Sequence, residues 1–221
     1  MVKISRCALD IAMAALTLVL MGGCNFFYEA FDESFDSDLV HETLGVILFV
    51  LWVTHLVVNR AWIKGLLKGK YNALRVVRTV INGGVILCVL FLMVSGVILS
   101  NHVFAWIGIE SCTSFARTAH LLASHWYLIF VSLHIGLHLS LFVRGKVAMG
   151  VVSALGVYGI YAFIERGLWK YMTLQQPFFS LDLEHGYLLF TLDYIAIMAL
   201  FAVSMQLVMQ ALNRYFYIRN A

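Results

Sequence analysis

Two stretches of the chain, "HETLGVILFVLWVTH" at 41–55 and "HLLASHWYLIFVSLH" at 120–134, begin and end on histidine and are almost wholly apolar between. Imidazole is a metal ligand and a proton carrier. An ionisable side chain inside an apolar helix is expensive and points to function. A histidine bonded to a neighbouring helix would account for one or two such residues, but not for a doubled interval. Chance has its share, because the chain has eight histidines and the intervals 102–120 and 120–138 also match. What sets His41, His55, His120 and His134 apart is one interval shared by two apolar stretches.

In a helix, fourteen residues rise about 21 Å and turn about 1400°, roughly 40° short of four full turns. His41 and His55 therefore lie on nearly one face at opposite depths, and so do His120 and His134. If the two helices run the same way, His41 faces His120 at one level and His55 faces His134 at the other. Two imidazoles per level are too few for zinc, which takes four protein ligands, or three and a water. Haem needs only two axial ligands, and an apolar wall suits its macrocycle. With both axial positions filled, such a centre transfers electrons and does not activate a substrate.

The elements that must position these residues follow from composition. The chain has 221 residues, 62% hydrophobic and 12% charged, with one proline. A soluble domain carries about 25% charged residues. This predicts a single all-α integral membrane domain, with nothing that points to a nucleic-acid partner. Six apolar spans are expected, at roughly 7–24, 40–59, 79–100, 118–143, 147–164 and 187–211, each long enough for a hydrocarbon core of about 30 Å. The expected fold is a four-helix haem bundle over 1–146 with two peripheral helices over 147–221. Twelve of the fifteen basic residues fall on one side of this arrangement, six of them at 60–78. Both termini are then cytoplasmic, and spans two and four run in the same direction. The acidic "YEAFDESFDSD" lies outside, with Arg117, Arg166 and Lys170.

The first span has the basic start and apolar run of a signal peptide, and "MGGC" faintly matches a lipoprotein cleavage site. Asp10 inside the run and Met21 fit poorly, so an uncleaved span is expected. Cys7, Cys24, Cys88 and Cys112 form no CxxC or CxxCH pattern, which argues against covalent haem and a thiolate zinc site. Cys24 and Cys112 both fall near the outer face, where they either pair or stand as isolated small residues.

The doubled histidine interval resembles the di-haem cytochrome b superfamily, including ferric-reductase-like proteins. More closely, "HETLG" with His55, "NRAWIKGLLKGKYN", "SGVILS", "HLLASHW" and "SLHIGLH" resemble a bacterial family of small cytochrome-b-like membrane proteins known as a domain of unknown function. The likeness runs from about residue 41 to 138. It implies two non-covalent b-type haems held by His41, His55, His120 and His134, in a bacterial inner membrane. It implies an electron relay between a partner or quinol and an acceptor. That partner would be a flavoprotein or a multihaem cytochrome. A quinone-reactive anchor subunit of a dehydrogenase is the alternative, and a histidine-based metal-ion or proton transporter the rival from another class. No GxGxxG phosphate turn is present, so nicotinamide or flavin chemistry belongs to a partner.

Other residues have secondary roles. His125 lies five residues after His120, rotated by about 140°, where the family carries an aromatic residue, so it is not expected to be a ligand. His138 shares the face of His120 and His134. It is the alternative inner ligand, or else it meets a propionate or lines a quinone pocket. Arg117 either pairs with an outer propionate or is an interfacial charge. Gly45, Gly96 and Gly136 admit a porphyrin or a neighbouring helix. Trp52, Tyr127 and Phe130 fall between the two levels. Asp10 and Asp193 either carry protons or bond to adjacent helices. His102 and His185 fall in outer loops. The basic 60–78 loop suits anionic lipid or a soluble partner.

Overall fold

A computed structural model describes residues 2–23, 36–109, 111–180 and 186–220. Among the described residues every regular element is helical. In chain order these are α1 (Val2–Leu18), a π-helical turn Val19–Gly23, α2 (Ser37–Val58), the short α3 (Arg60–Gly65), and α4 (Ala73–Leu99). A 3-10 turn Ala105–Ile107 follows, then α5 (Thr113–Phe142), α6 (Lys146–Glu165), the short α7 (Leu168–Met172) and α8 (Gly186–Asn220). Among the described residues, five helices are long and apolar enough to cross a membrane: Ser37–Val58, Ala73–Leu99, Thr113–Phe142, Lys146–Glu165 and Gly186–Ile218. The first expected span appears as a shorter apolar helix, Cys7–Gly22.

Local chemistry sets the helix ends. Asp36 caps α2, its Oδ1 accepting from the amides of Asp38 and Leu39 at 3.0 Å. Asn72 does the same for α4 through the amide of Arg75 at 2.9 Å. Each cap satisfies amides that have no partner inside the helix. The outer helix faces leave Val53, Val57, Val80, Leu87, Val94, Val151 and Ile160 exposed. Apolar surface on that scale, on helices that bond their own backbone groups, suits lipid and not water. The chain is an all-helical, membrane-embedded protein.

The helices pack unevenly. α4 lies along α5, and α8 lies along both α5 and α6. The main core joins Leu128 and Ile129 of α5, Ala162 of α6, Leu168 of α7 and Phe190, Tyr194 and Ile197 of α8. Gly136 and Gly159 make this possible. A β-carbon at Gly136 would strike the Ala202 carbonyl, and one at Gly159 the Ala196 carbonyl. α8 is thus no loose addition, but closes the side of α5 opposite α2. Asp193 of α8 bonds to the neighbouring helix α6 and its C-terminal end. Its carboxylate takes Nε and Nη2 of Arg166 at 2.8 Å and the Tyr158 hydroxyl at 2.7 Å. The buried charge is matched by an opposite charge and by hydrogen bonds, as burial in an apolar medium demands.

α2 behaves differently. It leans on α1, touches α4 sparsely, and has Trp52 as its one buried residue. Its inner face looks across open space toward α4 and α5.

Candidate functional site

The open space between α2, α4 and α5 is a cavity of about 340 Å³, lined by His41, Gly45, Phe49, Gly96, His120 and Tyr127 among others. Gly45 has nothing within 4 Å of where a β-carbon would stand, and one at Gly96 would meet His120 at 3.7 Å. Of the three glycines singled out from the sequence, these two face the cavity, whereas Gly136 serves helix packing. A second cavity of about 420 Å³ adjoins it, sharing His41 and His120 and extending to Arg117, His125 and Phe179.

The four histidines of the doubled interval come together as two pairs. The rings of His41 and His120 have centroids 6.2 Å apart, and those of His55 and His134 are 6.1 Å apart. Both pairs bridge α2 and α5, so the two helices run in the same direction. Between the levels lie Trp52 and Tyr127, buried against Met13, Val85 and Val89. Thr17 donates to the Met13 carbonyl at 2.8 Å, which leaves its oxygen to accept from the Tyr127 hydroxyl at 3.4 Å.

Each of the two paired histidines on α5, His120 and His134, is held from behind by α4. Nδ1 of His120 lies 2.9 Å from Oγ of Ser95. The Ser95 hydroxyl proton is directed to the Phe91 carbonyl at 2.5 Å, so its oxygen accepts from His120. Nδ1 of His134 lies 2.8 Å from Oδ1 of Asn82, which can only accept. In both rings the proton is therefore on Nδ1 and the lone pair on Nε2. A hydrogen bond on the second ring nitrogen is the arrangement that orients metal-bound imidazoles. Opposite them, Nδ1 of His55 lies 2.9 Å from Oδ1 of Asp10 on α1.

A further contact steadies the His41–His120 end. The Glu42 carboxylate accepts from Oγ of Ser100 at 2.6 Å and from the amides of Asn101, His102 and Val103 at 2.8, 3.2 and 2.8 Å. This clasp ties the start of α2, next to His41, to the end of α4. Sequence reading missed Glu42, Ser95 and Asn82. The signal was there in part, since Glu42 stands in "HETLG" and Ser95 opens "SGVILS".

The remaining histidines have other places. His125 is 1% exposed, stacks on Tyr171 with centroids 4.3 Å apart, and directs Nδ1 to the Leu121 carbonyl at 2.8 Å. It packs away from both pairs, as its rotation predicts. The ring of His138 stands 5.4 Å from that of His134, and His134 is the ring that faces His55. His102 pairs with Asp36 at 3.2 Å. His185 and Cys24 lie outside the described residues, and Cys112 is exposed. Arg117 is exposed at the mouth of the second cavity. Phe130 fills the space over Gly84, where a β-carbon would come within 2.5 Å of its ring.

Among the described residues, no group of three or more histidine, cysteine, aspartate or glutamate side chains gathers to hold a metal ion. What the bundle offers is pairs. Two imidazoles on one metal, each nitrogen about 2 Å from it, hold their ring centres about 6 Å apart. Both observed pairs have that separation, and the His41–His120 pair opens on a largely apolar cavity. These residues fit a group that needs two axial nitrogens and supplies its own equatorial ones. No family model, no curated protein and no solved structure matches the chain.

Proposed function

We propose that the chain is a di-haem b-type membrane cytochrome that relays electrons across the bilayer. The observation that carries this is the pair of histidine pairs, each bridging α2 and α5 with ring centres about 6 Å apart. His41 and His120 hold the outer haem, and His55 and His134 the inner one. When bound, each haem would supply a one-electron couple. The chain does the rest. Ser95 and Asn82 fix the tautomers of His120 and His134. Glu42 locks the outer end of α2 in place. Trp52 and Tyr127 fill the layer between the two centres. Arg117, which lines the second cavity, would pair with a haem propionate.

The finer arrangement belongs to the same proposal. α1 and its π-helical turn cross as the sixth span, with both termini cytoplasmic in a bacterial inner membrane. The 60–78 segment then faces the cytoplasm. In it, Arg75 folds back onto the Gly65 and Leu66 carbonyls, and Leu67 is fully exposed among Lys64, Lys68 and Lys70. A basic surface with an apolar tip suits anionic lipid, or a quinol or redox protein that approaches from that side.

The test is an absorption spectrum of the purified chain before and after dithionite. A reducible signal of six-coordinate bis-imidazole haem supports the proposal. A chain that binds no haem, and instead binds or moves metal ions or protons, would replace it with the transporter reading.

A further inference from the structure

Helix α1 brings one carboxylate into the apolar bundle. Oδ1 of Asp10 lies 2.9 Å from Nδ1 of His55. That nitrogen is buried and makes no hydrogen bond as the ring stands, so the contact is close but out of line.

The four paired histidines differ in what stands behind them. His120 and His134 meet a hydroxyl and an amide oxygen, both neutral. Among the described residues, His55 is the one of the four with a carboxylate within ion-pairing distance of a ring nitrogen. Asp10 also acts through space on His134 and on His138. Arg78 opposes it at His138, which is the ring beyond His134. At the outer pair, Asp38 and Glu42 act on His41 through space only, and the oxygens of Glu42 are taken up by the 100–103 turn.

We propose that Asp10 is the positioning residue of the inner centre: it fixes the proton of His55 on Nδ1 and sets that centre's reduction potential low. This rests on the reading that His55 and His134 hold a haem. Two effects carry it, and both have one sign. A carboxylate accepting from Nδ1–H makes Nε2 a stronger donor, which favours the oxidised iron. A negative charge beside the site, in surroundings of low dielectric, stabilises the extra positive charge of that oxidised state. The inner centre thus needs a residue from α1, although α1 supplies no axial ligand.

The experiment is a redox titration of the full-length, haem-loaded chain followed by absorption. His55→Ala identifies the inner wave by removing it. Asp10→Asn keeps the size and removes the charge, so the inner wave should move to higher potential while the outer wave stays. Asp10→Glu should return most of that shift, which a merely structural role would not do. Loss of the inner haem from Asp10→Asn but not from Asp10→Glu supports the proposal equally, because charge is what the Glu variant keeps. An unmoved inner wave in Asp10→Asn, an equal shift of both waves, or inner-haem loss from both variants overturns it. A parent chain with no reducible signal refutes the haem reading itself, before any variant is compared.

Discussion

Replacing Glu42 by alanine should loosen the outer end of the bundle and the outer haem with it. Its carboxylate takes one hydroxyl and three backbone amides at 2.6–3.2 Å. Hydrogen bonds to a charged group contribute about 1.5–3 kcal/mol each, which would give roughly 6–12 kcal/mol if nothing replaced them. Asn101 and His102 are exposed, however, so water takes over part of that bonding in the variant. Solvent also screens the charge. A net loss of about 2–3 kcal/mol is the reasonable expectation, and at this chain length that lowers Tm by roughly 5–10 °C. Glu42→Gln keeps one acceptor oxygen and should fall about halfway. The assay is thermal unfolding in detergent, alongside the absorbance of each haem wave. His41 adjoins Glu42, so the outer wave should weaken in the alanine variant while the inner wave persists. An unchanged Tm with both waves intact would refute the reasoning, and so would loss of the inner wave alone.

The partners on α4 should act one centre at a time. Partners of this kind typically contribute 10–100-fold in metal affinity, so Ser95→Ala should weaken the outer haem and Asn82→Ala the inner one, read by haem retention on dilution. The Arg166–Asp193 pair is structural: Asp193→Leu removes the carboxylate that accepts from Nε and Nη2 of the buried Arg166 and should destabilise by up to about 3–5 kcal/mol. Unfolding in detergent would show it, and haem potentials should not move. For topology, reporter fusions after residue 30 should read external and those after residue 70 cytoplasmic, following the basic residues. The reverse would exchange the membrane sides of the two centres without changing the pairs.

The pairing of His41 with His120 and of His55 with His134 was legible in the sequence because it depends on spacing within two helices and on their common direction. Fourteen residues preserve a helix face, and the membrane restricts helices to two directions. The partners behind the rings were not legible. Whether Asn82 or Ser95 faces α5, and whether Asp10 reaches His55, depends on how α4 and α1 rotate about their own axes. Hydropathy along a span apolar on all sides carries no signal for that rotation. Asp193 shows the same limit, since its partner Arg166 stands at the end of another helix. The first span was read as one apolar run from 7 to 24. It folds as a 17-residue α-helix that passes into a π-helical turn, with non-helical backbone at Gly22. In the sequence "MGGC" stands out only as a faint cleavage match that Met21 and Asp10 argue against, whereas its glycines carry the break in the helix.

Haem counted per chain in paired histidine variants tests the central claim most directly. The parent should hold about two haems, each with two protein nitrogens on iron. His41→Ala and His120→Ala should each hold one, and so should their double variant, because both residues serve the same centre. The His41→Ala/His55→Ala double variant should hold none. A parent with a single haem, a His41→Ala/His120→Ala variant with none, or an inner haem that survives His134→Ala but not His138→Ala would contradict the account.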